Sequence, residues 1–169
     1  MATFRLILDL AAQYDRDVDH MNVVTAFLNP RIDQDNIYME MPSGIDWHVS
    51  RGSASSGSAL ILRKARYGLK QVPRLWYEDI DGYLQSIGFR QLAEDPNRYI
   101  QQGVLLVLYV DDLLIAHNGA EGRAHRIKQL LQKKYKMCDL GAAKRFLGIK
   151  IERTKDGGFG ICQRGFTFS

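Results

Sequence analysis

The longest apolar stretch of the chain, residues 104–116, is interrupted by two adjacent charged residues, Asp111 and Asp112. Leu, Val, Ile and Tyr fill the positions on both sides, and this composition predicts two buried strands. Two neighbouring carboxylates are costly inside such a run unless a turn exposes them or a cation neutralises them. The pattern therefore predicts a β-hairpin with both aspartates at its tip.

The aspartate pair at this tip has two interpretations. Carboxylate oxygens are the ligands that magnesium prefers, so a rigid hairpin that presents two carboxylates supplies half of a magnesium site. An Asp-Asp pair between two apolar runs is also typical of a solvated turn without any ligand. The hairpin by itself leaves both interpretations open.

The spacing of hydrophobic residues predicts the other elements. It indicates helices over residues 4–14, with Thr3 as the cap, over 73–87, opened by Pro73 and ended by Gly88, and over 120–135, with a basic outer face. Strand patterns cover residues 18–24, 37–41, 60–62, 98–101, 104–109, 113–116, 146–151 and 159–162. Residues 50–58 are rich in Ser and Gly and predict a mobile surface loop. The mixture predicts an α+β fold with helices packed on one side of a sheet.

Composition narrows the class of protein. A hydrophobic fraction of 46% over 169 residues suits one globular domain and excludes fibrous and disordered chains. The net charge of +4 and the pI near 9.1 fit a polyanionic partner without requiring one. Cys138 and Cys162 lack zinc-ligand spacing and a disulfide pattern, so we expect reduced thiols. Without a secretory leader or a bilayer-spanning stretch, we expect a soluble intracellular protein with no membrane contact.

Four stretches resemble, in the right order, motifs of the reverse transcriptases of copia-type LTR retrotransposons. They are residues 21–29 (MNVVTAFLN), 66–77 (RYGLKQVPRLWY), 109–112 (YVDD) and 146–149 (FLGI). The second stretch is rare among soluble proteins, and the resemblance extends from about Thr3 to the end of the chain. The order and number of these stretches favour a polymerase over a solvated turn.

The resemblance implies a polymerase palm-like antiparallel sheet over residues 1–169, with part of the fingers at about 30–75. Most of the fingers, the thumb and the ribonuclease H domain are expected to be absent. The implied reaction is RNA-directed DNA synthesis, in which a primer 3′-hydroxyl attacks a deoxynucleoside triphosphate with the help of two Mg²⁺ ions. The implied partners are an RNA or DNA template with its primer and deoxynucleoside triphosphates, in the cytoplasm or in virus-like particles. Nothing in the sequence indicates an oligomeric state.

The resemblance assigns the metal ligands to Asp111 and Asp112, and it places Asn22 where the family has a third, metal-binding Asp. Asn offers one neutral oxygen in place of a carboxylate, so we expect this copy to be impaired or inactive. Alternation along a strand directs Asp19 to the opposite face, whereas His20 shares the face of Asn22 but is a poor magnesium ligand.

The resemblance also implies contacts with substrates. The nucleotide is expected to meet the sugar gate Phe27, the backbone N–H groups of Val24, Thr25 and Ala26, and the platform of Tyr67 and Gly68. The nucleic acid is expected to meet Lys70, Gln71, Arg74, Phe146, Leu147 and Gly148. By the residue types alone, Phe27 is more often a core residue, and the basic residues are more often a solvated face. Lys136 is either a proton donor on the pyrophosphate side or another solvated lysine.

Two other classes remain open from the sequence. The first is a non-catalytic retrotransposon remnant that keeps the sheet and binds nucleic acid through its basic faces. The second is a magnesium-dependent enzyme of unrelated type. Activity, its dependence on residue 22 and salt-dependent binding distinguish them.

Overall fold

A computed structural model describes residues 2–32, 37–40, 59–119 and 122–163. The chain forms two compact units, the first of Met1–Ala26 with Ile80–Ser169 and the second of Phe27–Asp79. The predicted Ser/Gly loop at 50–58 lies outside the described residues. The interval 30–75 that the resemblance assigns to the fingers falls inside the second unit, and its identity as fingers stays a prediction.

Three α-helices, one 3-10 helix and eleven strands occur within the described residues. In chain order they are α1 (Ala2–Gln13), β1 (Asp17–Val23), the 3-10 helix Ala26–Leu28, β2 (Tyr38–Glu40), β3 (Ala59–Ile61), α2 (Val72–Ser86), β4 (Arg90–Leu92), β5 (Asp95–Gln101), β6 (Val104–Tyr109), β7 (Asp112–His117), α3 (Arg123–Lys134), β8 (Met137–Ala142), β9 (Arg145–Phe146), β10 (Ile149–Arg153) and β11 (Phe159–Cys162). No helix in this part of the chain is long and apolar enough to cross a membrane.

The first unit is built on a six-stranded antiparallel sheet in the order β4-β5-β6-β7-β1-β8. β1 lies between β7 and β8, with Val18 opposite Ala116 and Asn22 opposite Asp112. Residues that face each other across an antiparallel pair project to the same side of the sheet. This register therefore directs the side chains of Asn22 and Asp112 to one face at one end of the strands.

Helices cover both faces of this sheet, so the expectation of helices on one side is wrong. α1 packs against one face of the central strands, including Val18, Leu114 and Ala116. α3 meets the opposite face, where Lys128 pairs with Asp19. The cause is the unbroken apolar run in β7, since consecutive residues of a strand point to opposite faces and both must then be buried. The α+β class itself is confirmed by the mixture of helices and antiparallel strands.

Most predicted elements are present with small shifts of their ends, and four details differ. Thr3 lies inside α1 and donates from its hydroxyl to Asp95, so it is not the cap. Asp112 is the first residue of β7, opposite Tyr109, and only Asp111 remains in the turn. The predicted strand 146–151 is divided into β9 and β10 by a tight turn at 147–148. β4 and β8 escape prediction because their largely exposed residues lack an alternating apolar pattern.

The second unit contains short elements of its own. β2 pairs with β3 in antiparallel register, Tyr38 opposite Ile61, and a bridge joins Arg31 to Lys64. The first half of α2 belongs to this unit, and it begins at Val72 with Pro73 at its second position, as the sequence predicts. Pro is tolerated there because the first N–H groups of a helix have no partner within the helix.

A network of charged side chains ties β1 to β7, α3 and β8 in the first unit. Asp19 Oδ2 accepts hydrogen bonds from His117 Nε2 at 2.9 Å and from Lys128 Nζ at 2.5 Å. The same ammonium lies 3.1 Å from both carboxylate oxygens of Asp139. The hydrogen bond from His117 lowers the pKa of Asp19 to about 2, although burial opposes the shift. Lys128 is thus a buried cation that holds two carboxylates on two strands.

Lys128→Met is expected to lower the free energy of unfolding by about 2 kcal/mol, because it leaves Asp139 and Asp19 without their shared cation. This loss of stability is smaller than for a buried charge left without any partner, since Asp19 keeps its hydrogen bond to His117. The control Lys133→Met changes the charge of the same helix at an exposed position. Urea unfolding that gives equal losses for both variants would contradict a structural role for Lys128.

The stability of the chain should fall as the pH rises above neutrality because of His117. Its hydrogen bond to Asp19 raises the pKa of His117 above the ordinary 6.5, against the effect of burial. A group whose pKa is raised by folding stabilises fully below its unfolded pKa, and this contribution disappears as the pH passes the raised value. We expect His117→Gln to flatten the dependence of Tm on pH above 6.5. The exposed His125 of α3 supplies the control, since His125→Gln should keep the parent slope.

Candidate functional site

The hairpin between β6 and β7 carries the aspartate pair on a strained turn. Val110 adopts φ +54°, a left-handed conformation that is rare for a β-branched residue and costs about 1–3 kcal/mol. The pairing of Tyr109 with Asp112 closes the ladder directly beside this turn. The Val23 N–H donates to the Asp111 carbonyl at 2.7 Å and fixes the tip to the end of β1. The position of both carboxylates is therefore set by backbone hydrogen bonds.

Asn22 and the aspartate pair converge at this end of the sheet. Asn22 Nδ2 donates to Asp112 Oδ1 at 3.0 Å and lies 3.4 Å from Asp111 Oδ2. The amide nitrogen must be the atom that faces the carboxylates, because the opposite rotamer would place a carbonyl oxygen against anionic oxygens. The structure thus brings together the three residues that the resemblance assigns to a metal site.

His20 is a fourth member of this site. Its Nε2 lies 2.7 Å from Asp112 Oδ1, and its ring edge packs on Phe146 with centroids 5.6 Å apart. Burial raises the pKa of Asp112, but the hydrogen bonds from His20 and Asn22 outweigh it and hold the pKa below the ordinary 3.8. Strand alternation placed His20 on the correct face; what sequence reasoning missed is its role as a donor to a carboxylate.

The residues present do not fit two magnesium ions as they are arranged. In the described ranges no group of three or more His, Cys, Asp or Glu side chains is placed to hold a metal ion. Asp112 Oδ1 already accepts hydrogen bonds from His20 and Asn22, and Asn22 presents a donor where a cation needs an oxygen. The site is an assembly of two carboxylates, of which Asp112 accepts hydrogen bonds from two protein donors.

A cleft of about 470 Å³ opens beside Asp112 in the first unit. It is lined by His20, Asp112, Leu140, Ala142, Lys144, Arg145, Leu147 and Gly148. Lys144 and Arg145 are exposed and give this cleft two positive charges. A polyanion that enters it would meet Asp112 and the turn between β9 and β10.

Phe146 does not line this cleft, and its predicted contact with nucleic acid stays a prediction. Its side chain is 2% exposed and stacks on Phe4 with ring centroids 5.2 Å apart. Leu147 and Gly148 follow it in a turn with positive φ at both residues and lie at the cleft surface. Phe146, at the end of β9, thus anchors in the core the turn that follows it.

The predicted backbone contacts to a triphosphate begin directly after β1. The Val24 N–H donates to the Lys136 carbonyl at 2.8 Å, and its contact with a triphosphate stays a prediction. The contacts of Thr25 and Ala26 stay predictions. The Lys136 side chain is exposed, and its role as a proton donor likewise stays a prediction.

The second unit brings the two predicted aromatic nucleotide contacts together. The rings of Phe27 and Tyr67 meet edge to face, with centroids 5.4 Å apart, and Tyr67 is 59% exposed. Phe27 is half-buried, and this exposure favours neither the sugar-gate nor the core interpretation. Gly68 has φ +97° and open space where a Cβ would be, so its backbone conformation requires glycine and another molecule can approach it.

The predicted nucleic-acid contacts near α2 lie at the surface of the second unit. Lys70 is exposed, and Gln71 is half-buried. Arg74 is exposed and lies 3.4 Å from Glu78, one helical turn away. Such an exposed ion pair contributes little to stability, so breaking it costs little.

Comparisons with known proteins show which family the chain belongs to. The family model described as reverse transcriptase (RNA-dependent DNA polymerase) matches residues 1–169. The chain is 36% identical over 160 residues to the retrovirus-related Pol polyprotein from transposon TNT 1-94 of Nicotiana tabacum, covering 92% of this chain and 12% of that polyprotein. It is 32% identical over 159 residues to the Pol polyprotein from transposon RE1 of Arabidopsis thaliana, covering 92% of this chain and 10% of that one.

A yeast relative is shorter. The putative transposon Ty5-1 protein of Saccharomyces cerevisiae is 36% identical over 141 residues, which are 81% of this chain and 44% of that protein. The chain thus spans about a tenth of the length of the two plant polyproteins and less than half of the yeast protein.

Proposed function

Because the chain belongs to the reverse transcriptase (RNA-dependent DNA polymerase) family of copia-type retrotransposons, we propose that it is the polymerase module of a Pol polyprotein and that this copy is impaired. The reaction of such a module forms a bond between the primer 3′-oxygen and the α-phosphorus of a deoxynucleoside triphosphate. The bond to pyrophosphate breaks, and the hydroxyl proton is lost. The observation that carries the proposal is the convergence of Asn22, Asp111 and Asp112 at one end of the sheet.

The two units supply different parts of the proposed module. The first unit, with its six-stranded sheet and aspartate hairpin, is proposed as the palm. The second unit, with Phe27 against Tyr67 and the exposed Lys70 and Arg74, is proposed as part of the fingers. Template and primer are proposed to bind along the basic cleft beside Asp112, and a module of this kind would act in the cytoplasm or in virus-like particles.

Impairment follows from the chemistry of residue 22. In the family, magnesium ions supply positive charge at the reacting phosphate. Here, the carboxylates that would attract cations are satisfied by Asn22 and His20, and one carboxylate is absent. Loss of a charge-bearing ligand reduces affinity for a hard divalent cation, because carboxylate oxygen carries most of that affinity. Asp111 and Asp112 are therefore the two remaining carboxylates of the proposed catalytic site.

The same contacts favour a second candidate function, a non-catalytic remnant that binds nucleic acid. A site whose carboxylates are satisfied by protein donors is stable without a ligand, since no buried charge is left uncompensated. The exposed basic residues at the cleft and on α2 remain available for phosphates.

Primer extension separates the two candidates. The unmodified chain is expected to give no measurable product on a primed RNA template with Mg²⁺ or Mn²⁺. Asn22→Asp is expected to gain activity, because it restores the third carboxylate beside Asp111 and Asp112. The control Asn22→Asp/Asp111→Asn should return activity to background. Robust extension by the unmodified chain would contradict impairment, and no extension by Asn22→Asp would favour the remnant.

Binding of primed duplex should depend on the basic residues near the start of α2. Lys70→Glu/Arg74→Glu is expected to weaken binding by roughly tenfold and to reduce the slope of log K against log salt, because phosphate contacts release counterions. The control Arg126→Glu/Lys133→Glu changes the net charge equally at exposed positions of α3. If both pairs weaken binding alike in a fluorescence anisotropy titration, general charge explains the binding and the proposed surface is wrong.

A further inference from the structure

We propose that His20 is a positioning residue: it holds the Asp112 carboxylate in a hydrogen bond and thereby competes with cations for it. A carboxylate at position 22 therefore restores only part of a cation site. The inference rests on the proposed function, since it concerns the same three carboxylate positions. It adds a second obstacle to metal binding besides Asn22, at a residue that the comparisons assign no role.

The contested atom is Asp112 Oδ1. Of the two oxygens of this carboxylate, Oδ1 is the one bonded to Asn22, at 3.0 Å, and so the one that would share a cation with a carboxylate at position 22. His20 Nε2 lies 2.7 Å from the same oxygen. A carboxylate oxygen only accepts, so Nε2 carries the hydrogen in this bond. A cation at Oδ1 must therefore displace or approach a donor hydrogen.

Packing holds His20 in this position. Its side chain is 12% exposed, and its ring packs edge-on against Phe146. Phe146 is itself fixed in the core, where it stacks on Phe4. Turning His20 away from Asp112 would open a gap beside Phe146 and expose the ring. The hydrogen bond between His20 and Asp112 is thus fixed by side-chain packing on the sheet surface.

The register explains why His20 reaches Asp112 rather than Asp111. His20 is opposite Leu114 on the same face as Asn22 and Asp112, two positions along each strand from that pair. Its long side chain spans this diagonal, as cross-strand neighbours do in antiparallel sheets. The same alternation sends Asp19 to the other face, where His117 binds it at 2.9 Å. The two strands thus carry one His–Asp pair on each face.

This second pair supplies a matched control. His117 and His20 lie on adjacent strands of one sheet, and each donates to an aspartate through Nε2. Only His20 touches an aspartate of the candidate site. Replacement of His117 removes a comparable hydrogen bond without changing the carboxylates near position 22.

The test is a Mn²⁺ titration followed by the electron paramagnetic resonance of free Mn²⁺, in neutral buffer without nucleotide. It compares the unmodified chain, Asn22→Asp, Asn22→Asp/His20→Leu and Asn22→Asp/His117→Leu. We expect no saturable binding by the unmodified chain and weak binding by Asn22→Asp. Asn22→Asp/His20→Leu should bind roughly tenfold more tightly than Asn22→Asp, the effect of one hydrogen bond to a charged group. The His117 variant should match Asn22→Asp.

A second substitution at His20 tests whether the effect of the Leu variant arises from misfolding. Asn22→Asp/His20→Asn keeps a polar side chain that is too short to reach Asp112, and it should bind Mn²⁺ as tightly as the Leu variant. Equal affinity of Asn22→Asp with and without the His20 substitutions overturns the inference, as does an equal gain from His117→Leu. Primer extension by the same variants keeps the two proposals distinct. Tighter Mn²⁺ binding without extension supports the inference and contradicts polymerase function. Extension without tighter Mn²⁺ binding supports polymerase function and contradicts the inference.

Discussion

The antiparallel register between β1 and β7 is the constraint on which the rest of the first unit depends. It sets Asn22 opposite Asp112 and His20 opposite Leu114, so that polar side chains collect at one end of one face. A shift by one residue would send this whole set to the other face, beneath α3. The register is held because both faces of β7 are buried, which leaves no alternative pairing with the same apolar contacts.

The same register separates the polar side chains of β1 into two sets, one on each face of the sheet. On the α3 face, Asp19 binds Lys128 and His117 and joins the helix to the sheet. On the other face, Asn22 and His20 bind the aspartate hairpin. Because successive side chains alternate, one short strand serves a structural network and a candidate catalytic site without the two sharing a residue. The network of Asp19 stabilises the strand whose opposite face carries the site.

Sequence reasoning recovers the parts of this arrangement that depend on local patterns. The apolar run around Asp111 predicts the hairpin, Pro73 and Gly88 predict the limits of α2, and the motif order places Asn22 beside the aspartates. The edge strand β8 is missed because its pairing with β1 is made by the backbone, and its exposed side chains follow no apolar pattern. The burial of Phe146 is also missed, because motif similarity does not tell which residue beside a turn points into the core.

An Asn at position 22, where the resemblance implies an Asp, would explain how the arrangement of a catalytic site persists without cations. Three carboxylates within hydrogen-bonding distance repel one another, so such a cluster depends on cations or on protons for its stability. Asn has nearly the shape of Asp, but its amide donates to Asp112 Oδ1 at 3.0 Å and faces Asp111 Oδ2 at 3.4 Å. Repulsion is thereby replaced by hydrogen bonds within the protein, and the hairpin keeps its position against β1. A change from Asp to Asn here would remove charge from the site and also relieve the repulsion among its carboxylates, as expected when activity and stability make opposite demands on one residue.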